Sequence, residues 1–398
     1  MSSPQSIQVA FVMPGMGVVK RGAEVFVGDL CRALGAREDF DVLLLSRGVP
    51  EPDVLESLAE APLPVRVLHR EHPLLSRVYD ATRFGRKVLD TLFLDPLNIE
   101  WGTAALSALG QLRRRRRRTG DWPDVLVMEG GLVGGWVARW LRWRHGVPFV
   151  DIAHGNSPKW EGTFARQRPD RVVAFTEAAA AMIQARAPKA QVEVIPHGVD
   201  LERFHPEGER ATTGLGSPLI LSAGSIDEHK RPRATVEAVS RLAQRGFPQA
   251  SLLMLGEGPE AEAVDALAAE RLGEGRYRRL SVPREEMPSW YRAAQVFALP
   301  SVTEAFGLVY LEALACGLPC VAPHDGVRRT VIGEAGVLCP DPEDPDLYAA
   351  DLELALKTHW GERPRRQAEG FPFAATAEAY ARLFRSLAGR AADAEASQ

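Results

Sequence analysis

The chain has 398 residues, of which 45% are hydrophobic and 25% charged, and its formal net charge is −4. That length exceeds what one hydrophobic core usually serves, so two domains are expected, and the near-average composition excludes a disordered or fibrous chain. A slightly acidic balance offers no field that gathers nucleic acid, so any anion site has to be local.

In chain order, the apolar stretch 7–13 follows no basic segment and reads as a first strand rather than a secretion signal. Further strands are expected at 41–46, 124–128, 149–153 and 171–175, with amphipathic segments such as 23–34 and 132–144 between them. Val/Ile/Leu runs alternating with helix-like patterns are the signature of parallel βαβ units. The stretch 124–143 is interrupted by Glu129, Arg139 and Arg142, too polar for a membrane span.

Residues 63–120 look helical but are longer than one crossover needs, and they end in Arg113, Arg114, Arg115, Arg116, Arg117 and Arg118. Helical neighbours point about 100° apart, so this run surrounds the helix and forms no narrow phosphate clamp. One reading is a solvated helix end; the other is a patch that meets anionic lipid or a phosphate-bearing acceptor at the inner face of a membrane. Trp136, Trp140 and Trp143 recur at helical spacing, which predicts a packed face.

The same grammar restarts with strands at 219–223, 251–255, 295–299 and 319–322, after a polar, glycine-bearing link at 200–218 that reads as the join. Cys316, Cys320 and His324 have a metal-like rhythm, but Ala-Cys-Gly-Leu-Pro-Cys-Val-Ala reads as a helix end entering a buried strand. The four cysteines make no disulfide framework in a chain this long and suit a reducing cytoplasm. Asp344-Pro345-Asp346 has a form used elsewhere to bind metal diphosphates, yet it lies in a proline-rich turn where Asp346 can cap the next helix. No metal site is expected.

Most of the chemistry lies in Leu299-Pro300-Ser301-Val302-Thr303-Glu304-Ala305-Phe306-Gly307-Leu308-Val309-Tyr310-Leu311-Glu312-Ala313-Leu314-Ala315-Cys316-Gly317-Leu318-Pro319. It starts as a strand end and becomes helical near Gly307, so the amides of Phe306, Gly307 and Leu308 form a positive helix end suited to a diphosphate. Helical rise puts Glu312 about 7–8 Å from Gly307. Glu304 and Glu312 are then placed to accept from sugar and ribose hydroxyls.

This stretch resembles glycosyltransferase family 4, whose donor signature runs Pro-Ser, Glu, Phe-Gly, a second Glu eight positions on, then Ala and Gly-x-Pro. Ile195-Pro196-His197-Gly198-Val199-Asp200 is similar to that family's interdomain strand and turn, and 373–387 to its closing helix. The resemblance implies an α/β chain of GT-B type, two Rossmann-like doubly wound domains facing across a cleft. Its parts would be an acceptor-side domain at 1–205, a donor domain at 206–370, a closing helix at 371–390 and a tail at 391–398.

It also implies a retaining, metal-independent transfer of a sugar from a nucleoside diphosphate to a hydroxyl acceptor. The catalytic candidates it supplies are His154, Glu304 and Lys230. Donor-binding candidates are Gly15, Gly17, Gly22, Ser225, Arg231, Gly256, Gly258, Val282, Phe306, Gly307, Leu308 and Glu312, with Asp151 on the acceptor side. The chain departs from the pattern where Ser225 stands for the family's arginine and Arg21 for a glycine of its first loop. A sugar-nucleotide epimerase on the same architecture stays open, and those departures keep open a nucleotide-sugar-binding protein without turnover.

Overall fold

The computed structural model describes residues 6–15, 22–46, 96–129, 131–155 and 158–389; Gly17, Arg21 and 63–95 lie outside them. The chain forms two compact units, Met1–Ile195 with Ala377–Gln398, and Pro196–Thr376. This division falls ahead of the polar link at 200–218, because the chain is already tied to the second unit there. Val199 N donates to Phe371 O (2.9 Å), Phe373 N donates to Val199 O (3.0 Å), and Phe204 is fully buried.

The first unit runs β1 (Ile7–Met13), α1 (Gly22–Gly35), β2 (Phe40–Ser46), α2 (Pro96–Thr119), β3 (Val125–Met128), α3 (Gly131–His145), β4 (Phe149–Ile152), α4 (Pro158–Ala165), β5 (Arg171–Ala174), α5 (Glu177–Arg186) and β6 (Val192–Val194). Its six-stranded sheet has the order β2-β1-β3-β4-β5-β6, and the pairings are parallel. The order reverses between β1 and β3, where open parallel sheets form a ligand crevice at the strands' carboxyl ends.

One core of this unit lies where α2 and α3 cover the sheet, with Ala105, Ala108 and Leu112 of α2 meeting Ala138 and Leu141 of α3 and Leu126 and Met128 of β3. The tryptophans do not form that face. Trp136 and Trp143 are 61% and 80% exposed, and Trp140 alone of the three packs against the core, because α3 turns its small residues Gly134, Gly135 and Ala138 inward. The arginine run closes α2: Arg115 pairs with Asp41 at 2.7 Å, Arg113 lies over Trp140, and Arg116 lies over Trp122.

The second unit contains β7 (Leu219–Ala223), α6 (Pro232–Gln244), β8 (Ser251–Leu255), α7 (Ala261–Leu272), β9 (Tyr277–Leu280), α8 (Met287–Ala293), β10 (Val296–Ala298), α9 (Leu308–Ala315), β11 (Cys320–Pro323), α10 (Gly326–Ile332), β12 (Gly336–Cys339), α11 (Pro345–Lys357) and α12 (Arg363–Glu369). Its sheet order is β12-β11-β10-β7-β8-β9, again parallel, with the reversal between β7 and β10.

Cap geometry corrects one reading from the sequence: Asp344, not Asp346, caps α11, accepting from the amides of Asp346 and Leu347, with Pro345 in the first turn. Helix α13 (Phe373–Leu387) starts in the second unit and supplies the first with Tyr380 and Phe384, both fully buried. Phe384 meets Phe11 edge-on, and Tyr380 lies against Phe26.

Candidate functional site

At the reversal of the second sheet, two loops leave β7 and β10 side by side. The β7 loop opens with Gly224 and Ser225, whose hydroxyl donates to Asp227 (2.5 Å). Asp227 in turn caps the single turn Glu228–Lys230, accepting from the amides of His229 and Lys230. The β8 loop locks this segment from behind: a Cβ on Gly256 would lie 1.9 Å from the Gly224 carbonyl oxygen, and one on Gly258 would lie 2.3 Å from that of Ile226. Only glycine allows backbones to approach so closely. The β10 loop carries Ser301, Val302 and Glu304, and Val302 N donates to His229 O at 2.7 Å, which joins the two loops.

Across that joint, Lys230 Nζ donates to Glu304 Oε1 at 2.6 Å, with the side chains 24% and 13% exposed. An ammonium and a carboxylate thus neutralise each other at the carboxyl edge of the sheet. Helix α9 begins immediately afterwards; its N-cap is Gly307 at φ +90°, and no side chain caps that end. A helix start without a side-chain cap presents amide donors and partial positive charge to an anion.

Glu312, one turn into α9, is buried, and Tyr291 Oη donates to its Oε2 at 2.9 Å. Arg284 lies 3.9 Å from its other oxygen. A hydrogen bond to a charged group is worth about 1.5–3 kcal/mol, enough to fix the carboxylate's rotamer. Burial, then the Glu312 charge, pushes the Tyr291 hydroxyl well above its ordinary pKa, so it stays a donor. Arg231 adopts a left-handed backbone and pairs with Glu343 at 2.8 Å, while Val282 is half-buried just past β9.

The first unit's edge is built differently. His154 follows β4, and its Nε2 lies 2.8 Å from Glu129 Oε1, just past β3. Phe26 and Phe175 flank the imidazole. Burial works against its charged form, but the Glu129 carboxylate, with help from Glu161 and Glu24, lifts its pKa above the ordinary value. Glu161 accepts from Gly155 N at 2.9 Å, and burial pushes its pKa up to about 7. Asp151 is raised well above the carboxylate range, first by burial and then by Glu161 and Glu129. Gly15 follows β1 beside the Glu24 carboxylate, and Gly22 opens α1.

Residues 208–370 match the family model described as Glycosyl transferases group 1, and residues 20–203 match that described as Glycosyltransferase Family 4. A D-inositol 3-phosphate glycosyltransferase of Frankia alni is 33% identical over 300 residues, spanning 65% of this chain and 74% of that protein. The protein of that name from Xylanimonas cellulosilytica is 31% identical over 395 residues, 88% of this chain and 87% of that one. The chain belongs to glycosyltransferase family 4.

The fold agrees. The solved sucrose-phosphate synthase of Thermosynechococcus elongatus superposes with a TM-score of 0.74 over 96% of this chain and 99% of that one, at 21% identity. Two parallel-sheet, Rossmann-like units of GT-B type are therefore the architecture of this glycosyltransferase. The second unit brings Lys230, Ser225, Gly256, Gly258, Glu304, Phe306, Gly307, Leu308 and Glu312 to one sheet edge or its adjoining helix, while His154, Asp151, Gly15 and Gly22 belong to the first unit. The sequence reading missed Glu129, Glu161 and Tyr291, the partners of residues it did single out. Glu129 alone left a trace, as a charge standing directly after a buried strand.

Proposed function

We propose that this glycosyltransferase binds a nucleoside diphosphate sugar at the β7/β10 edge of its second unit and transfers the sugar, with retention, to a hydroxyl of a polyhydroxylated acceptor. The observation that carries this reading is the Lys230–Glu304 pair at 2.6 Å, set at the sheet reversal beside the start of α9. An incoming diphosphate competes with Glu304 for the ammonium. Lys230 and the amides of Phe306, Gly307 and Leu308 then carry the charge that grows on the leaving diphosphate. The displaced Glu304 carboxylate turns to sugar hydroxyls, and Glu312, held by Tyr291, accepts from the ribose. Attack comes from the face that the diphosphate leaves, its oxygen taking the acceptor proton. The name of these relatives, which specifies inositol 3-phosphate, supports a cyclic polyol as the acceptor class.

A mass assay of UDP, GDP and ADP sugars, with and without polyol acceptors, tests this. Transfer or donor hydrolysis is expected; conversion of donor to its epimer alone, or binding without turnover, contradicts it. Lys230 and the helix amides supply charge that a divalent ion supplies elsewhere, so activity is expected to survive EDTA; loss with recovery on added manganese overturns the metal-free mechanism.

The acceptor side of the proposal extends to peripheral contact with an anionic membrane from the cytoplasmic side. Arg113, Arg114, Arg116, Arg117 and Arg118 are exposed on α2, and Trp143 is exposed on α3, which packs against it; tryptophan together with arginine suits a headgroup layer. Among the described residues no helix is long and apolar enough to cross a membrane. Sedimentation with anionic vesicles is expected to fall steeply with salt and to vanish when these arginines become glutamines; no sedimentation of the unaltered protein refutes the contact.

A further inference from the structure

Behind the Glu304 turn lies a charge that the donor reading does not use. Arg328, on α10, is fully buried at 0% exposure. Dehydrating a guanidinium is costly unless well-placed acceptors offset it. Its Nη2 donates to the Ser301 carbonyl oxygen and to Ser301 Oγ, each at 2.7 Å, while Nη1 donates to the Asp325 carboxylate. Asp325 also accepts from Arg328's own amide at 2.8 Å, so the acid that caps α10 holds the guanidinium as well. Ser301 too is fully buried.

Taken bond by bond, the turn that carries Glu304 is gripped along its length. Tyr310 Oη donates to Leu299 O at 2.7 Å. Arg328 holds both the carbonyl and the hydroxyl of Ser301. Val302 N donates to His229 O at 2.7 Å, one residue before Lys230. Of these three grips, the Arg328 fork alone comes from outside the β7, β10 and α9 segments. The planar guanidinium holds Ser301 through Nη2 and Asp325 through Nη1 in one fixed geometry, which the flexible stem and point charge of a lysine do not enforce.

We propose that Arg328 is a positioning residue for the Glu304–Lys230 pair: by clamping Ser301 it fixes the turn that aims the Glu304 carboxylate. The proposal rests on the reading of Glu304 as the sugar-facing group.

The test compares Arg328→Lys, Glu304→Gln and the double variant, with transfer kinetics, nucleoside diphosphate affinity and thermal midpoint measured for each. Arg328→Lys is expected to fold, to keep diphosphate affinity, and to lose kcat by about a hundredfold, the scale of a misplacement near 1 Å. Because Arg328 acts through Glu304, the double variant is expected to be no slower than Glu304→Gln alone. Losses that multiply, an unchanged kcat in Arg328→Lys, or an Arg328→Lys chain that fails to fold would each overturn the positioning role, the last by assigning the guanidinium to the fold. A fully active Glu304→Gln would instead remove the reading on which the proposal rests. Ser301→Ala, which loses one of the two acceptors and leaves the carbonyl, is expected to fall between the unaltered protein and Arg328→Lys; an Ser301→Ala variant with unaltered kcat counts against the clamp.

Discussion

The carboxyl edges of the two sheets share a parallel architecture and a strand-order reversal, yet their charges are arranged in opposite ways. In the second unit one ammonium meets one carboxylate, Lys230 with Glu304, beside a helix start without a side-chain cap. In the first, the His154 imidazole feels Glu129, Glu161 and Glu24, and Asp151 lies near enough to feel Glu161 and Glu129 as well. Topology thus marks where a crevice lies, and the side chains decide what it holds. An edge that can release a cation suits a diphosphate; an edge with surplus acid holds protons and accepts from hydroxyls.

The largest expected effect sharpens the second-unit side of this contrast. Glu304→Gln removes charge-assisted acceptance from sugar hydroxyls and is expected to slow transfer by about a hundredfold. It also frees Lys230, so diphosphate affinity should hold or rise. Transfer at the unaltered rate in a steady-state assay would take Glu304 out of the site.

The next effect probes the acid edge of the first unit. Burial lifts Glu161 from 4.5 to about 7, so between those values the folded chain keeps a proton that the unfolded chain has released. Stability therefore declines as pH rises through that window and stays lower above it. His154 acts in the same direction: its pKa is raised in the folded chain, so its contribution is complete below the ordinary histidine value and is lost as pH rises past the raised one. Glu161→Gln should flatten the Glu161 part and stabilise the protein at pH 8 relative to the unaltered chain, read from urea unfolding at pH 5 and pH 8. An unchanged pH dependence would mean that Glu161 is ionised throughout.

A smaller effect is expected at Glu312→Ala, which should weaken free nucleoside diphosphate by about tenfold, or 1.4 kcal/mol, through the lost ribose contact. Unchanged affinity by calorimetry would show that the Tyr291–Glu312 bond serves only to pack α8 against α9.

Much of this was legible in the chain. The central strands, dense in Val, Ile and Leu, stand within a residue or two of their expected bounds, as at 219–223 and 251–255. The strands left unread are β6, β9 and β12, each at a sheet edge and mostly half-buried. An edge strand covered on fewer sides tolerates Val-Glu-Val or Tyr-Arg-Arg-Leu, and the apolar run that reveals a central strand is missing. Glu304 and Glu312 were singled out by the long motif around them, and Lys230 by the family resemblance. Arg328 was not: in sequence it is one of two adjacent arginines, and only the fold shows that one is buried on Ser301 while Arg329 meets exposed His324. Partner choice depends on distances that spacing along the chain does not encode.

The central claim is that the β7/β10 edge of the second unit is the diphosphate site and that Lys230 is its cation. Calorimetric titration of Lys230→Ala with whichever of UDP, GDP and ADP most stabilises the unaltered protein tests it most directly. An affinity weakened by about tenfold or more, with the fold intact, is the predicted result; an affinity equal to that of the unaltered protein would contradict it.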